Sequence, residues 1–255
     1  ETELASLGVD VSATSTEYVS QDFKAYSTNG VSGKPNSNNY IGFADKIDGS
    51  TGTIVLNNTV RKTVYDVIID GIKGLDMGTG IANFNNQADI RFYSGNGDIG
   101  AVDDGVPDLL ITQIAQPGGS DVYYYADVDG NVVGRPVKLA FINNNNNRLY
   151  QWKVDFYRLD YSSGSTFETA IPTTASFGNG QNRGFRMAAF SLEDFGIDGS
   201  SNGDITDIDN INMGAGGSSD MAFMAYNKAA FDIKSPIINE APISRFVCRL
   251  PTISD

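Results

Sequence analysis

Apolar and polar residues alternate with a period of two along much of the chain, and clusters of turn formers interrupt them. The clearest case is residues 149–161. Tyr150, Trp152, Val154 and Phe156 fall on one side and Gln151, Lys153 and Asp155 on the other, the pattern of a strand with one buried face. On that reading Trp152 belongs to the core and Asp155 to a solvated face. Residues 64–70 (VYDVIID) also alternate, with Tyr65, Val67 and Ile69 opposite Asp66, Ile68 and Asp70. Further strands are predicted over 52–56, 88–93, 108–114, 122–126, 132–141, 185–190 and 222–226. Turn clusters separate them, at 94–98 (SGNGD), 116–119 (QPGG) and 214–217 (GAGG). The asparagine run 143–147 reads as a hairpin tip. Helical periodicity is nearly absent; residues 191–196 form one short turn, with Ser191 as cap and Gly196 as terminator.

About ten short strands in one chain predict an all-β fold, an antiparallel β-sandwich of jelly-roll type with little helix. A propeller needs a repeat of ~40 residues, and no segment repeats itself. Residues 1–235 form the sandwich domain. Residues 236–255 carry three prolines around the strand-like stretch 244–250 and read as a final strand or a linker to a further module.

Composition removes several chemistries. The chain has 255 residues, a net charge of −13, one cysteine and no histidine. No Cys/His zinc site forms without histidine, and neither does a Ser-His-Asp or Cys-His nucleophile. Cys248 has no disulfide partner and no imidazole to activate it, so it reads as a structural thiol. The acidic balance argues against nucleic acid and anionic membranes, which need clustered Lys and Arg. No stretch reaches the ~20 apolar residues of a transmembrane helix, so direct membrane insertion is not expected. Abundant Gly, Ser, Thr, Asn and Asp is the profile of a turn-rich secreted β protein. Residues 1–10 have no basic start and no long apolar run, so the chain reads as a mature form or an excised piece.

Three acidic loops are candidate calcium sites, because calcium takes six to eight oxygens from flexible loops. The first brings Asn96, Asp98, Asp103, Asp104 and Asp108 within 13 residues. The second is Asp127, Asp129 and Asn131; its opening spacing matches an EF-hand, but Gly130, Val132 and Lys138 occupy positions that motif fills otherwise. The third spans 198–209 and includes Asp204 and Asp207. Each has a plain alternative, an aspartate closing its own turn by hydrogen bonds; for the second loop, a hairpin turn at Asp129-Gly130 is the stronger reading. Tyr123, Tyr124 and Tyr125 are consecutive on a predicted strand, so at least one faces away from the others and offers a platform for a sugar ring. Asp155, Asp160 and Glu168 are the acids available for glycoside hydrolysis, which needs two carboxylates ~5–10 Å apart.

Three runs carry a resemblance: LYQWKVDFY at 149–157, FSLEDFGI at 190–197 and SDMAFMAYN at 219–227. Over residues 65–227 the chain resembles modules of the very large surface adhesins of gliding bacteria that use type 9 secretion. Separately, DGVPDLL at 104–110 is similar to one blade motif of calcium-binding propeller repeats, present here in a single copy that does not carry that fold. The adhesin resemblance implies a non-enzymatic structural or adhesive module of a secreted bacterial surface protein, possible calcium stiffening, and neighbouring domains of a larger chain as partners. The alternative is a carbohydrate-binding module taking surface glycans, alone or attached to a polysaccharide-degrading enzyme; a concave groove or an exposed aromatic row favours it. A hydrolase or lyase in its own right is the third reading, and a capsid- or spike-like structural protein the remainder.

Overall fold

Alternation along a strand means one wet face, and the two most apolar strands of this chain have none. The computed structural model describes residues 17–18, 22–26, 28–44, 63–68, 75–76, 79–86, 88–115, 118–141, 148–231 and 233. Its strands are β1 (Glu17–Tyr18), β2 (Phe23–Ala25), β3 (Thr28–Val31), β4 (Tyr40–Ala44), β5 (Leu75–Asp76), β6 (Thr79–Phe84), β7 (Asp89–Tyr93), β8 (Leu109–Ala115), β9 (Asp121–Ala126), β10 (Val132–Leu139), β11 (Tyr150–Leu159), β12 (Pro172–Phe190), β13 (Asn210–Gly214) and β14 (Ser219–Asn227). Every pairing among them is antiparallel.

Six strands close a ring in the order β14, β6, β4, β11, β12, β8 and back to β14. β14 completes the circuit: it pairs with β8 on one side and with β6, then β2, on the other. Closure removes the unpaired edges that an open sheet leaves exposed. A five-stranded sheet, ordered β10, β9, β13, β7, β3, accompanies the ring, and β1 pairs with β5. The antiparallel all-β expectation with little helix therefore holds. The larger sheet closes into a barrel-like ring, however, and this topology does not establish two open jelly-roll sheets.

Two cores follow from this arrangement. Leu110, Ile114, Val154, Phe156, Phe185 and Phe223 form the smaller one among the ring strands. The larger joins ring to sheet: Leu109, Ile111, Met221, Met224 and Tyr226 meet Ile90, Phe92, Tyr123, Tyr125, Ile211 and Met213. β8 and β14 contribute to both cores and are buried along their whole length. That is why LLITQIA and SDMAFMAYN read as apolar runs rather than alternations.

Several expectations are corrected. The strand expected over 64–70 is not formed at 64–68: Val64–Ile68 is a short α-helix that buries Val64, Val67 and Ile68, a three- and four-residue spacing, and residues 69 and 70 lie outside the described residues. Packing of that face overrides the β preference of its valines. Asp155 is buried rather than solvated: it sits at the register shift between Val154 and Phe156 where β11 pairs with β12, and its Oδ1 accepts from the Gly180 N–H at 2.7 Å. Phe185–Phe190 is only the end of β12, a 19-residue strand that serves β11 with its first part and β8 with its last. Gly178 and Gly180, at φ 57° and 65°, sit where its pairing with β11 shifts register between Phe177 and Gln181. The turn at 191–196 is as expected: Leu192–Phe195 is a 3-10 helix, Asp194 accepts from the Ser191 N–H at 3.0 Å, and Gly196 ends it at φ 67°. The strand predicted at 52–56, the hairpin tip at 143–147, the Trp152 side chain and residues 236–255 with Cys248 lie outside the described residues.

Candidate functional site

The acidic loops are organised by their own aspartates. Asp98 Oδ1 accepts from the Gly100 N–H at 2.8 Å and caps a 3-10 helix. Asp104 accepts from Val106 at 2.7 Å, Asp198 from Ser200 at 2.9 Å, and Asp204 from Thr206 at 2.9 Å. Asp160 accepts from Ser162 at 3.0 Å. Asp127 does most: Oδ1 accepts from the Asp129 and Asn131 N–H groups and Oδ2 from the Asn131 side chain at 2.9 Å. These hydrogen bonds hold the Asp127, Asp160, Asp198 and Asp204 carboxyls below the usual range. The loop between β9 and β10 is thus the hairpin turn, with Gly130 at φ 87°. Asn96 and Asp103 are exposed in the first loop, and the Asp103 N–H donates to Glu193. Asp207 ends the 3-10 helix Ile205–Asp207 that Asp204 caps. Among the described residues no group of three or more carboxylates converges as a metal cage. Asp155, Asp160 and Glu168 are engaged separately: Asp155 at Gly180, Asp160 in its turn, Glu168 on the outer face of the smaller sheet.

Asp108 differs from its neighbours in sequence. It is buried, its Oδ2 accepts from the Leu192 N–H at 2.9 Å, and its Oδ1 has no hydrogen-bond partner. Burial, with the charges of Asp104 and Glu193 adding to it, pushes its carboxyl up to about 7 despite that hydrogen bond. Between its unfolded value near 4 and this folded value, the native state binds the extra proton, so this group's contribution falls as pH rises from about 4 to about 7. Asp108→Asn keeps an acceptor for Leu192 and abolishes the titration. Urea midpoints at pH 5, 6, 7 and 8 are expected to shift in the variant's favour as pH rises. A constant difference across that range contradicts the assignment.

Of the three tyrosines, Tyr123 and Tyr125 lie fully within the larger core and offer no ring face to a ligand. Tyr124 is half-buried and lines a groove of about 470 Å³ on the outer face of the five-stranded sheet, beside Asp89, Arg91, Glu168 and Asn212.

A second groove, of about 480 Å³, lies where β4 begins, β6 ends and the chain enters β14. Five asparagines line it: Asn36, Asn38, Asn83, Asn85 and Asn86. Tyr40 and Phe177 supply an aromatic wall, with ring centroids 5.4 Å apart, and Gly216, Gly217 and Ser218 form the opposite rim. Among the described residues that line it, none is charged. Phe177 stays 55 % exposed, although the Tyr40 ring packs tilted against it and the Arg183 guanidinium lies 5.9 Å from its centroid.

Three buried polar side chains fix this groove from beneath. Asn39 Oδ1 accepts from the Asn36 N–H at 2.6 Å, and its amide donates to the Asn83 carbonyl. Asp220 Oδ1 accepts from the Asn83 N–H at 2.8 Å and holds Asn83 at φ 59°. Asp121 Oδ1 accepts from the Gly216 N–H at 3.0 Å and from the Ser219 hydroxyl, while Oδ2 takes the Gln113 amide at 2.6 Å. Burial raises the Asp121 carboxyl, and these hydrogen bonds oppose the shift. Sequence reasoning missed the groove, because its asparagines come from two segments 45 or more residues apart and Phe177 from a stretch rich in turn formers where no strand is predicted.

No protein-family model, no curated protein and no solved structure matches this chain.

Proposed function

We propose that this chain is a non-enzymatic structural and adhesive module of a secreted bacterial surface protein, a rigid β scaffold that displays loops to partners and joins neighbouring domains. The observation that supports the reading is the recurrence of aspartate-closed turns at Asp98, Asp104, Asp127, Asp160, Asp198 and Asp204 on a doubly cored β framework. Each such turn satisfies backbone donors locally and holds a surface loop in one shape, which limits the ordering cost when a partner binds. The acidic charge keeps such a displayed surface soluble. Retention under flow tests it. Beads coated with the chain are expected to stay several-fold longer on polysaccharide- or protein-coated glass than beads coated with a globular protein of equal charge. Equal retention on every surface contradicts adhesion.

The adhesive module does not require calcium to stiffen its loops. The turn aspartates already accept backbone hydrogen bonds, so their loops have order of their own. Melting temperatures in millimolar calcium and in excess chelator are therefore expected to agree within about 2 °C. A clear rise with calcium that magnesium does not reproduce indicates an oxygen-rich site involving the 96–108 loop.

A further inference from the structure

We infer that the asparagine-lined groove between Tyr40, Phe177 and the 216–218 rim binds an uncharged glycan, with a sugar ring seated on Phe177 and its hydroxyls paired to side-chain amides. This deepens the adhesive reading and rests on it for its biological setting. Three observations carry it.

The first is the chemistry of the lining. An asparagine amide presents two donors and an acceptor with two lone pairs, the combination that vicinal hydroxyls, each donor and acceptor at once, satisfy in pairs. Five such amides border one groove; those of Asn83 and Asn85 already donate to the Asn38 and Lys34 carbonyls and the Asn36 Oδ1 accepts from the Asn38 N–H, while Asn36, Asn38 and Asn86 are exposed residues. The second is the aromatic wall. Phe177 is a large apolar ring left more than half open, yet Tyr40 and Arg183 fix its position. A flat apolar face beside polar groups suits the C–H face of a pyranose; a wholly polar ligand gains nothing from it. The third is preorganisation. Asn39, Asp121 and Asp220 are almost wholly buried, and burying polar side chains costs free energy unless their hydrogen bonds are made. All three direct hydrogen bonds at the backbone of the groove's walls: Asn36, Asn83 and Gly216.

Charge decides between ligand classes. In a chain with 31 acidic residues, the described lining of this groove has neither carboxylate nor cation. An anionic glycan would meet the repulsion of a net charge of −13, and the nearest cations, Arg183 and Arg158, lie against the Phe177 and Tyr40 rings rather than on the described lining. The Tyr124 groove, with Asp89, Arg91 and Glu168 on its walls, is the poorer match for a neutral ligand and serves as the internal control.

The test titrates the folded chain with uncharged β-glucan, mannan, galactan and xylan hexasaccharides by calorimetry. Binding of at least one is expected. Phe177→Ala should weaken it at least tenfold and Phe177→Trp should preserve it, while Asn38→Ala with Asn86→Ala should weaken it several-fold. Tyr124→Ala should leave it unchanged. Phe177 is exposed, so matching melting curves are expected for the Phe177 variants. A flat response to all four sugars, binding of acidic sugars or a polar peptide alone, or binding indifferent to Phe177, overturns the assignment. If neutral sugars fail while bead retention persists on glycan-free surfaces, the ligand class is wrong and adhesion stands. Loss of retention everywhere contradicts adhesion itself.

Discussion

Asp121→Ala is expected to cost about 3–5 kcal/mol of stability, because it strands the Gln113 amide and the Ser219 hydroxyl in the interior at ~1–3 kcal/mol each and frees the Gly216 N–H at the groove rim. For a chain of this size that lowers the melting temperature by about 10 °C. Asp121 is buried at the start of β9, and no other described side chain accepts from the Gly216 N–H. Asp121→Asn should lose roughly half as much. Its oxygen can still serve Gly216, and its new amide can donate to the Gln113 Oε1, which lacks a partner in the native chain, once Gln113 reorients. Urea unfolding of both variants checks the ranking. Equal losses for Ala and Asn would show that the carboxylate's charge matters, not its geometry.

Gly80→Val is expected to destabilise the ring by about 3 kcal/mol or more. Gly80 on β6 pairs with Gly42 on β4, and both face the ring's core. A Cβ at Gly80 lies 2.7 Å from the Met221 carbonyl oxygen and overlaps the Ile114 side chain. A Cβ at Gly42 lies 2.7 Å from the Phe156 ring. The obstacle at Gly80 includes backbone of β14, the strand that closes the ring, so a rotamer change cannot relieve it. Gly118→Ala is the comparison: its Cβ meets only the Ser218 Cβ, at 3.4 Å, and a change within about 0.5 kcal/mol is expected. Similar losses at both positions, measured by chemical unfolding, contradict the packed-ring account.

Several strands were readable from alternation alone, although the wet face expected at Asp155 is buried. β7, β9 and β11 fall within a residue or two of the stretches 88–93, 122–126 and 149–161. β8 and β14 were readable as apolar runs, but not that both of their faces are buried, since a run of that length is equally consistent with other settings. The first half of β12 escaped because TTASFGNGQNRG is rich in turn formers; its pairing with β11 is supplied by the partner strand, not by local preference. Helix Val64–Ile68 escaped because five residues carry too little periodicity to separate three from two. Site reasoning divided along the same line. Aspartates closing their own turns are local, and Asp127, Asp129 and Asn131 behave as their spacing suggests. The groove is assembled from distant segments, and its supports, Asn39, Asp121 and Asp220, are buried polar residues that no local pattern distinguishes from surface ones.

Buried side chains hold the groove's walls in place before any ligand arrives. Amide hydrogen exchange of the unliganded chain tests it most directly. The N–H groups of Asn36, Asn83 and Gly216, which donate to Asn39, Asp220 and Asp121, are expected to exchange as slowly as those of β8 and β14, through global unfolding alone. Exchange at these three positions as fast as at the exposed Gly105 would mean that the walls open freely, and would contradict a prebuilt binding surface.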